Sequence, residues 1–249
     1  MVNVLISGIS GRMGQKVLES CEKASDLTVV CGVDLFKKDL SVPVYTDFNE
    51  VKESVDVVID FSNKLNLDNV LSFLEKTNAN AVLCTTGYNE ADLKKIDEIS
   101  KKVAIFRSGN MSLGINVLIE LVKTASKSLT GFDIEIIEKH HNQKLDAPSG
   151  TALMLADGVK EVLSEKYYTY GREGMCGKRD ANEIGIHAIR GGNIVGEHDV
   201  IFAGQNETIT LSHQASDRGV FAEGAVKAAS YIATKKCGIF NMSDLLNGR

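Results

Sequence analysis

Apolar positions along the chain predict a sequence of elements before any other property is considered. Val2 to Ser7 reads as a short buried strand, and Met13, Val17, Leu18, Cys21 and Ala24 then recur at helical spacing. Leu27 to Val33 is again apolar and β-branched. Strand-like runs at 55–61, 81–85 and 103–107 follow. Between them lie helix faces marked by Leu67, Val70, Leu71 and Leu74, and by Leu93, Ile96 and Ile99. Strands alternating with helices predict an α/β fold with a doubly wound parallel sheet. A long helical pattern runs from Leu113 to Leu129 and ends at Gly131, a C-cap residue.

Beyond residue 131 the rhythm changes. Phe132 to Glu138 alternates as a strand, and a helix is predicted from Ala152 to about Leu163. Residues 165–182 are polar and Gly-rich and read as an excursion loop. Runs at 183–190, 193–202 and 207–213 are joined by short turns, which predicts antiparallel neighbours in a sheet of about four strands. An Ala-rich helix then extends to about Lys235. The chain is therefore expected to hold a dinucleotide-binding domain, 1–111 with 217–249, and a smaller α+β substrate domain, 112–216. Ile184, Ile186, Val200 and Phe202 are expected on a sheet face left open for assembly, because a soluble monomer does not expose such a face.

The first turn carries recognisable chemistry. Gly8-Ile9-Ser10-Gly11-Arg12-Met13-Gly14 lies between a strand and a helix, where glycines admit a pyrophosphate and the helix N-terminus faces its charge. The spacing is Gly-x-x-Gly-x-x-Gly, with Ile9 at a usual glycine position. Asp34 ends the second strand, where a carboxylate binds the adenosine ribose. Cofactors lie beyond the carboxyl ends of such strands. That places Phe61-Ser62, Cys84-Thr85-Thr86 and Ser108-Gly109-Asn110-Met111 around the nicotinamide end.

The densest chemistry follows the strand at 132–138. His140-His141-Asn142-Gln143-Lys144-Leu145-Asp146-Ala147-Pro148-Ser149-Gly150-Thr151-Ala152 carries two imidazoles, an amine and a carboxylate into a helix start. Imidazoles and an amine on such a loop handle protons. Helix N–H groups at Gly150 and Thr151 hold an anion.

Charge and cysteine content narrow the class. A net charge of −5 argues against a general nucleic-acid binder, whose affinity rests on a basic surface. The five cysteines form no CxxC pair, and an odd count suits a reducing compartment. No run approaches the roughly 20 apolar residues of a membrane span. The N-terminus lacks a signal-peptide pattern, so a cytoplasmic location is expected. The histidines show no metal-ligand spacing, and no metal is expected.

Together these stretches resemble the dihydrodipicolinate reductase family. The resemblance is carried by Gly8 to Gly14, Thr85-Thr86-Gly87, Asn110 to Gly114, Glu138 to Ala152, Ile189 to His198 and Ser216-Asp217-Arg218. The run from His140 to Ala152 is highly specific, and the glycine turn alone is not. The resemblance implies reduction of a cyclic unsaturated dicarboxylate by NADH or NADPH, and a homotetramer built through the second sheet. It implies that His140 donates or accepts a proton, that Lys144 donates one, and that His141, Gly150 and Thr151 hold the substrate. Cofactor contacts are implied for Gly8, Ile9, Ser10, Gly11, Arg12, Met13, Asp34, Cys84, Thr85, Thr86, Ser108, Gly109, Asn110 and Met111. Reduction leaves an enamine-like anion, which a cationic Lys beside an imidazole can protonate.

Some positions depart from the family pattern. Cys84 stands where Gly is usual, Asn63-Lys64 replaces a Pro-containing turn, and Leu35-Phe36 follows Asp34 where a basic residue is common. Lys37 or Lys38 is the substitute for that base, and NADH is expected to serve at least as well as NADPH. Two competing readings are another dehydrogenase of small amino or keto acids, and a dinucleotide-binding protein without catalysis. The first would not need the His140 to Ala152 run; the second would not keep both His140 and Lys144.

Overall fold

The structure is a computed structural model that describes residues 1–248. The first half is built as β1 (Val2–Ser7), α1 (Arg12–Glu22), β2 (Leu27–Val33), β3 (Val44–Tyr45), β4 (Val57–Asp60), α2 (Leu67–Thr77), β5 (Asn80–Leu83), α3 (Glu90–Ser100) and β6 (Ala104–Arg107). Next come α4 (Leu113–Ser128), β7 (Asp133–His140), α5 (Gly150–Lys160), β8 (Tyr167–Tyr170), β9 (Glu183–Arg190), β10 (Gly196–Ala203) and β11 (Thr208–Ala215). The chain ends with α6 (Gly219–Ile232), β12 (Gly238–Phe240) and α7 (Met242–Leu246). It divides into two compact units, one of Met1–Leu113 with the segment from Arg218 onward, the other of Gly114–Asp217.

The first unit is a Rossmann-like, all-parallel sheet in the order β12-β6-β5-β4-β1-β2-β3. Its strands are buried on both faces, which explains their continuous apolar runs. Val4 and Ile6 face a core shared with α1 and α6, while Leu5 faces one shared with α2 and α3. Ala222, Ala225, Ala228 and Ala229 of α6 are fully buried; small side chains let this helix lie close to its neighbours. Gly224 is obligatory there, since a Cβ would stand 1.7 Å from the Met111 carbonyl oxygen. The edge strands β3 and β12 have two and three residues, too short for a readable period.

The second unit differs from the sequence expectation in three respects. Its sheet has five strands in the order β11-β10-β7-β9-β8, not four. The stretch 165–182 is not all loop: Tyr167–Tyr170 forms β8, an edge strand parallel to β9. Nor are β9 and β10 antiparallel neighbours. β7 lies between them, parallel to β9 and antiparallel to β10. The link at 191–195 can reach roughly 16 Å when extended, enough to pass over one strand at about 4.8 Å spacing. It crosses the end of β7, where Gly191 N–H donates to the His140 carbonyl at 2.9 Å and Asn142 N–H to the Gly192 carbonyl at 3.2 Å.

The expected open apolar face is also corrected. Ile184, Ile186, Val200 and Phe202 pack with Ile134 and Ile136 into a core with α4 and α5. The helices bury one face because it holds the in-phase apolar residues of β7, β9 and β10. The opposite face is largely polar. There Glu135 accepts from Arg172 at 2.9 Å and from Arg179 at 2.9 Å and contacts His187 Nε2 at 2.7 Å, while Lys139 pairs with Glu197 at 3.0 Å and Asp199 at 3.3 Å.

Candidate active site

In the first unit the strand order reverses at β1, with β2 on one side and β4 on the other, the switch point where dinucleotides bind. The turn after β1 is tight. Gly8 has φ +82°, and a Cβ there would come within 2.9 Å of the Phe61 carbonyl oxygen. A Cβ on Gly14 would stand 2.1 Å from the Gly8 oxygen, so α1 can approach the turn only with glycine at that position. Ile9 is fully buried, its side chain pressed against Gly32, and so only its backbone can face a ligand.

Asp34 is tied into the same turn: Ser10 N–H donates to Oδ2 at 2.8 Å and Leu35 N–H to Oδ1 at 2.7 Å. Ser10 Oγ donates to the Phe36 carbonyl at 3.0 Å, which fixes the loop after Asp34 over the glycines. Arg12 is exposed and Met13 partly buried.

A cavity of about 640 Å³ runs over Gly8, Gly11, Asp34 and Phe61, and a second of about 470 Å³ over Phe61, Cys84, Thr85 and Thr86; Phe61 and Ser62 line both. Together they follow the carboxyl ends of β2, β1, β4 and β5. A nicotinamide dinucleotide fits such a groove, with its pyrophosphate against the glycine backbone.

Asp60, missed in the sequence, is 1% exposed beneath the second cavity, where it accepts from Ser62 Oγ at 2.5 Å and Thr85 Oγ1 at 2.7 Å. Desolvation and then the Asp60 charge push the Cys84 thiol well up, so it stays protonated. Ser108 Oγ donates to the Asn110 carbonyl at 2.7 Å, and Asn110 Oδ1 accepts from Ser112 N–H at 2.8 Å, holding a rigid turn beside the exposed Gly109. The Met111 side chain is buried in the core, so Met111 too can offer only backbone.

In the second unit the chemistry gathers at the C-terminal end of β7. Glu138 is fully buried, yet its carboxylate is surrounded by donors. Oε1 accepts from Ser149 N–H at 3.0 Å and Arg190 Nη2 at 2.7 Å; Oε2 accepts from Arg190 Nη1 at 2.7 Å and meets His140 Nδ1 at 2.7 Å. Burial alone would raise its pKa, but Arg190, His140 and the Ser149 N–H outweigh this and hold it below the usual range. His198 lies beside this pair, its ring 5.2 Å from that of His140 and its Nε2 3.0 Å from Ser149 Oγ. Burial, then the neighbouring His140, lowers His198 to about 4, which keeps it neutral at pH 7.

Ser149 caps α5, its Oγ accepting from Ala152 N–H at 3.1 Å. Gly150 and Thr151 open that helix at the positive end of its dipole. Lys144 Nζ is paired with Asp146 at 2.8 and 2.9 Å. This contact is the first cause of the lowered Asp146 pKa. His141 is partly buried on the same loop.

Glu138, Arg190 and His198 were not recognised as site residues from sequence. A signal existed: each falls in phase with buried residues of its strand, where a charge is out of place without a partner.

Fold and glycine cradle together define the class, a Rossmann-type oxidoreductase that takes a nicotinamide dinucleotide. Residues 2–111 match the family described as dihydrodipicolinate reductase, N-terminus, and residues 114–246 the one described as dihydrodipicolinate reductase, C-terminus. The chain is 54% identical to a 4-hydroxy-tetrahydrodipicolinate reductase of Caldanaerobacter subterraneus subsp. tengcongensis, over 99% of this chain and 98% of that one. It is 49% identical to another of Clostridium novyi (strain NT), over the whole of both. A solved structure described as dipicolinate-bound dihydrodipicolinate reductase from Paenisporosarcina sp. TG-14 superposes with a TM-score of 0.82 at 25% identity, over 97% of both chains. A myo-inositol dehydrogenase from Lactobacillus casei shares the fold, with a TM-score of 0.61 at 16% identity over 98% of this chain and 90% of that one. The chain belongs to the dihydrodipicolinate reductase family, whose members are oxidoreductases that use NADH or NADPH.

Proposed function

We propose that this chain reduces a cyclic, unsaturated dicarboxylate to tetrahydrodipicolinate with NADH or NADPH, in the diaminopimelate route to lysine. The observation that carries the proposal is His140 held by a buried carboxylate at the head of the loop bearing Lys144, next to the α5 N-terminus. The solved Paenisporosarcina relative, described as dipicolinate-bound, supports a dicarboxylate ligand.

The nicotinamide, when bound, supplies the hydride. Lys144 is assigned the proton delivered to the reduced ring, and His140 the companion donor or acceptor. His141 and the Gly150 and Thr151 amides grip a substrate carboxylate at the helix N-terminus. The backbone from Gly8 to Met13, with Asp34, Cys84, Thr85, Thr86 and the turn from Ser108 to Met111, is assigned to the cofactor. On this reading 1–111 with 217–249 is the dinucleotide-binding domain, and 112–216 binds substrate and mediates assembly.

Absorbance of NADH during titration with the cyclic dicarboxylate tests the proposal. Oxidation with this substrate and not with small keto or amino acids is the expected result. NADH binding without turnover returns the non-catalytic reading.

The family resemblance further suggests a homotetramer joined through the second sheet, in the cytoplasm. The polar outer face, with Ile137 and Ile201 among its ion pairs, is the surface for such a contact. Sedimentation should show four copies, and a 27 kDa species at micromolar concentration removes the proposal. No helix among the described residues is long and apolar enough to cross a membrane, and none of their His, Cys, Asp and Glu residues form a group of three or more that could hold a metal ion.

A further inference from the structure

The imidazole of His140 is held on one edge and makes no hydrogen bond to the described residues on the other. On the held edge, Nδ1 lies 2.7 Å from Glu138 Oε2. An ionised carboxylate accepts only, so the proton between them belongs to Nδ1 and the exchangeable position of the neutral ring is Nε2. Glu138 cannot turn away, because Arg190 clamps both of its oxygens and Ser149 N–H donates to one of them. Arg190 is itself fixed by donating Nη1 to the Ile189 carbonyl at 2.8 Å and Nη2 to the Asp146 carbonyl at 2.7 Å. The register makes the arrangement possible: His140 stands opposite Arg190 across the parallel pair, and Glu138 opposite His198 across the antiparallel one.

On the other edge, a Cβ placed on Gly196 would come 3.1 Å from His140 Nε2 and 3.5 Å from Cδ2. Gly196 has no positive φ that would by itself demand glycine. The missing side chain instead lets the buried backbone at Gly196 lie close to the imidazole without pressing on Nε2.

We propose that Glu138, locked by Arg190, is the positioning residue for His140, fixing the Nδ1–H tautomer and leaving Nε2 as the nitrogen that meets the substrate. The proposal rests on the reading of His140 as a proton-handling group. It assigns Glu138 no contact with substrate, and gives Gly196 the role of letting the ring keep its place.

Nitrogen-15 NMR of the full-length protein tests the tautomer, with the His140 resonances assigned by their loss in His140→Ala. Wild type should show the proton on Nδ1 and a bare or hydrogen-bonded Nε2. A proton on Nε2 in the neutral ring overturns the proposal, and does so whether or not His140 proves catalytic. In Glu138→Gln the tautomer should shift or become mixed, and kcat should fall roughly 10- to 100-fold, as for loss of an orienting partner. KM for the dicarboxylate and the dissociation constant of NADH should stay within about threefold, a split that general unfolding does not produce. Glu138→Gln that keeps kcat, or that loses kcat with the tautomer unchanged, overturns the positioning role.

Gly196→Ala leaves Glu138 intact and covers the case in which Glu138→Gln does not fold. By pushing on the His140 ring it should lower kcat/KM for the dicarboxylate about tenfold or more, with NADH affinity and the Nδ1–H tautomer retained; an unchanged kcat/KM overturns the role of Gly196. Wild-type turnover in His140→Ala is a different result. It removes the catalytic reading of His140, while the tautomer measurement still stands on its own.

Discussion

In the first unit the groove is shaped by backbone. Gly8 and Gly14 admit no Cβ, Ile9 and Met111 turn their side chains into the core, and Asp34 is bonded to the amides of Ser10 and Leu35. In the second unit the candidate site is made of polar and charged side chains that face one another: Glu138, Arg190, His140 and His198 on one face of the sheet, Lys144 and Asp146 on the loop beyond. A ligand gripped by backbone needs shape and leaves little room for substitution. A proton-handling group needs a particular orientation and charge, which here come from a buried network. Changes in the two regions should therefore fail in different observables.

The largest effect is expected at Lys144. Lys144→Ala should lose roughly 10²–10⁴-fold in kcat, the range for a general acid, while fold and NADH affinity stay at wild-type values. A variant keeping more than about a third of kcat would break the contrast, since Lys144 would then be a solvated charge of little consequence.

Charge in the second unit also predicts a pH response. Burial opposes ionisation of Glu135, yet bonds from Arg172, His187 and Arg179 lower it from 4.5 to about 2. A depressed carboxylate stabilises the fold fully above its unfolded value and loses that contribution as pH falls towards its folded value. The window is thus about pH 4.5 down to 2, with a contribution on the order of 3 kcal/mol. Urea midpoints for Glu135→Gln should lie below wild type at pH 7 and converge on it in acid. A gap independent of pH would show that the ion cluster on the outer face is not a source of stability.

Shape in the first unit is probed by Gly14→Ala. The new Cβ would sit 2.1 Å from the Gly8 oxygen and 2.6 Å from Ile9 Cα, so backbone must move. A loss of about 1–3 kcal/mol and a weaker affinity for NADH are expected, measured by denaturation and by fluorescence titration. Unaltered NADH binding would separate the glycine turn from the cofactor.

The smallest effect concerns cofactor choice. NADH should serve at least as well as NADPH, because the Asp34 charge repels a 2′-phosphate. Asp34→Asn keeps an acceptor for Ser10 N–H and removes the charge. The ratio of kcat/KM values should move towards NADPH by about tenfold, equal to ~1.4 kcal/mol, and an unmoved ratio takes Asp34 out of the site.

Much of this molecule follows from local pattern. Continuous apolar runs with helices between them specify strands buried on both faces, and hence the parallel sheet. The glycine turn and the loop from His140 to Thr151 are legible as chemistry because their residues adjoin in the chain. Strand pairing in the second unit is not local. The short link at 191–195 reads as a hairpin, but it passes over β7, and only that register sets His140 beside Arg190 and Glu138 beside His198. The same packing puts Ile184, Ile186, Val200 and Phe202 under the helices instead of on an open face. Alternation shows that these residues share a face with Glu138, Arg190 and His198. It cannot show what covers that face or which charges meet there, because partners 52 residues apart, such as Glu138 and Arg190, are brought together by the tertiary fold alone.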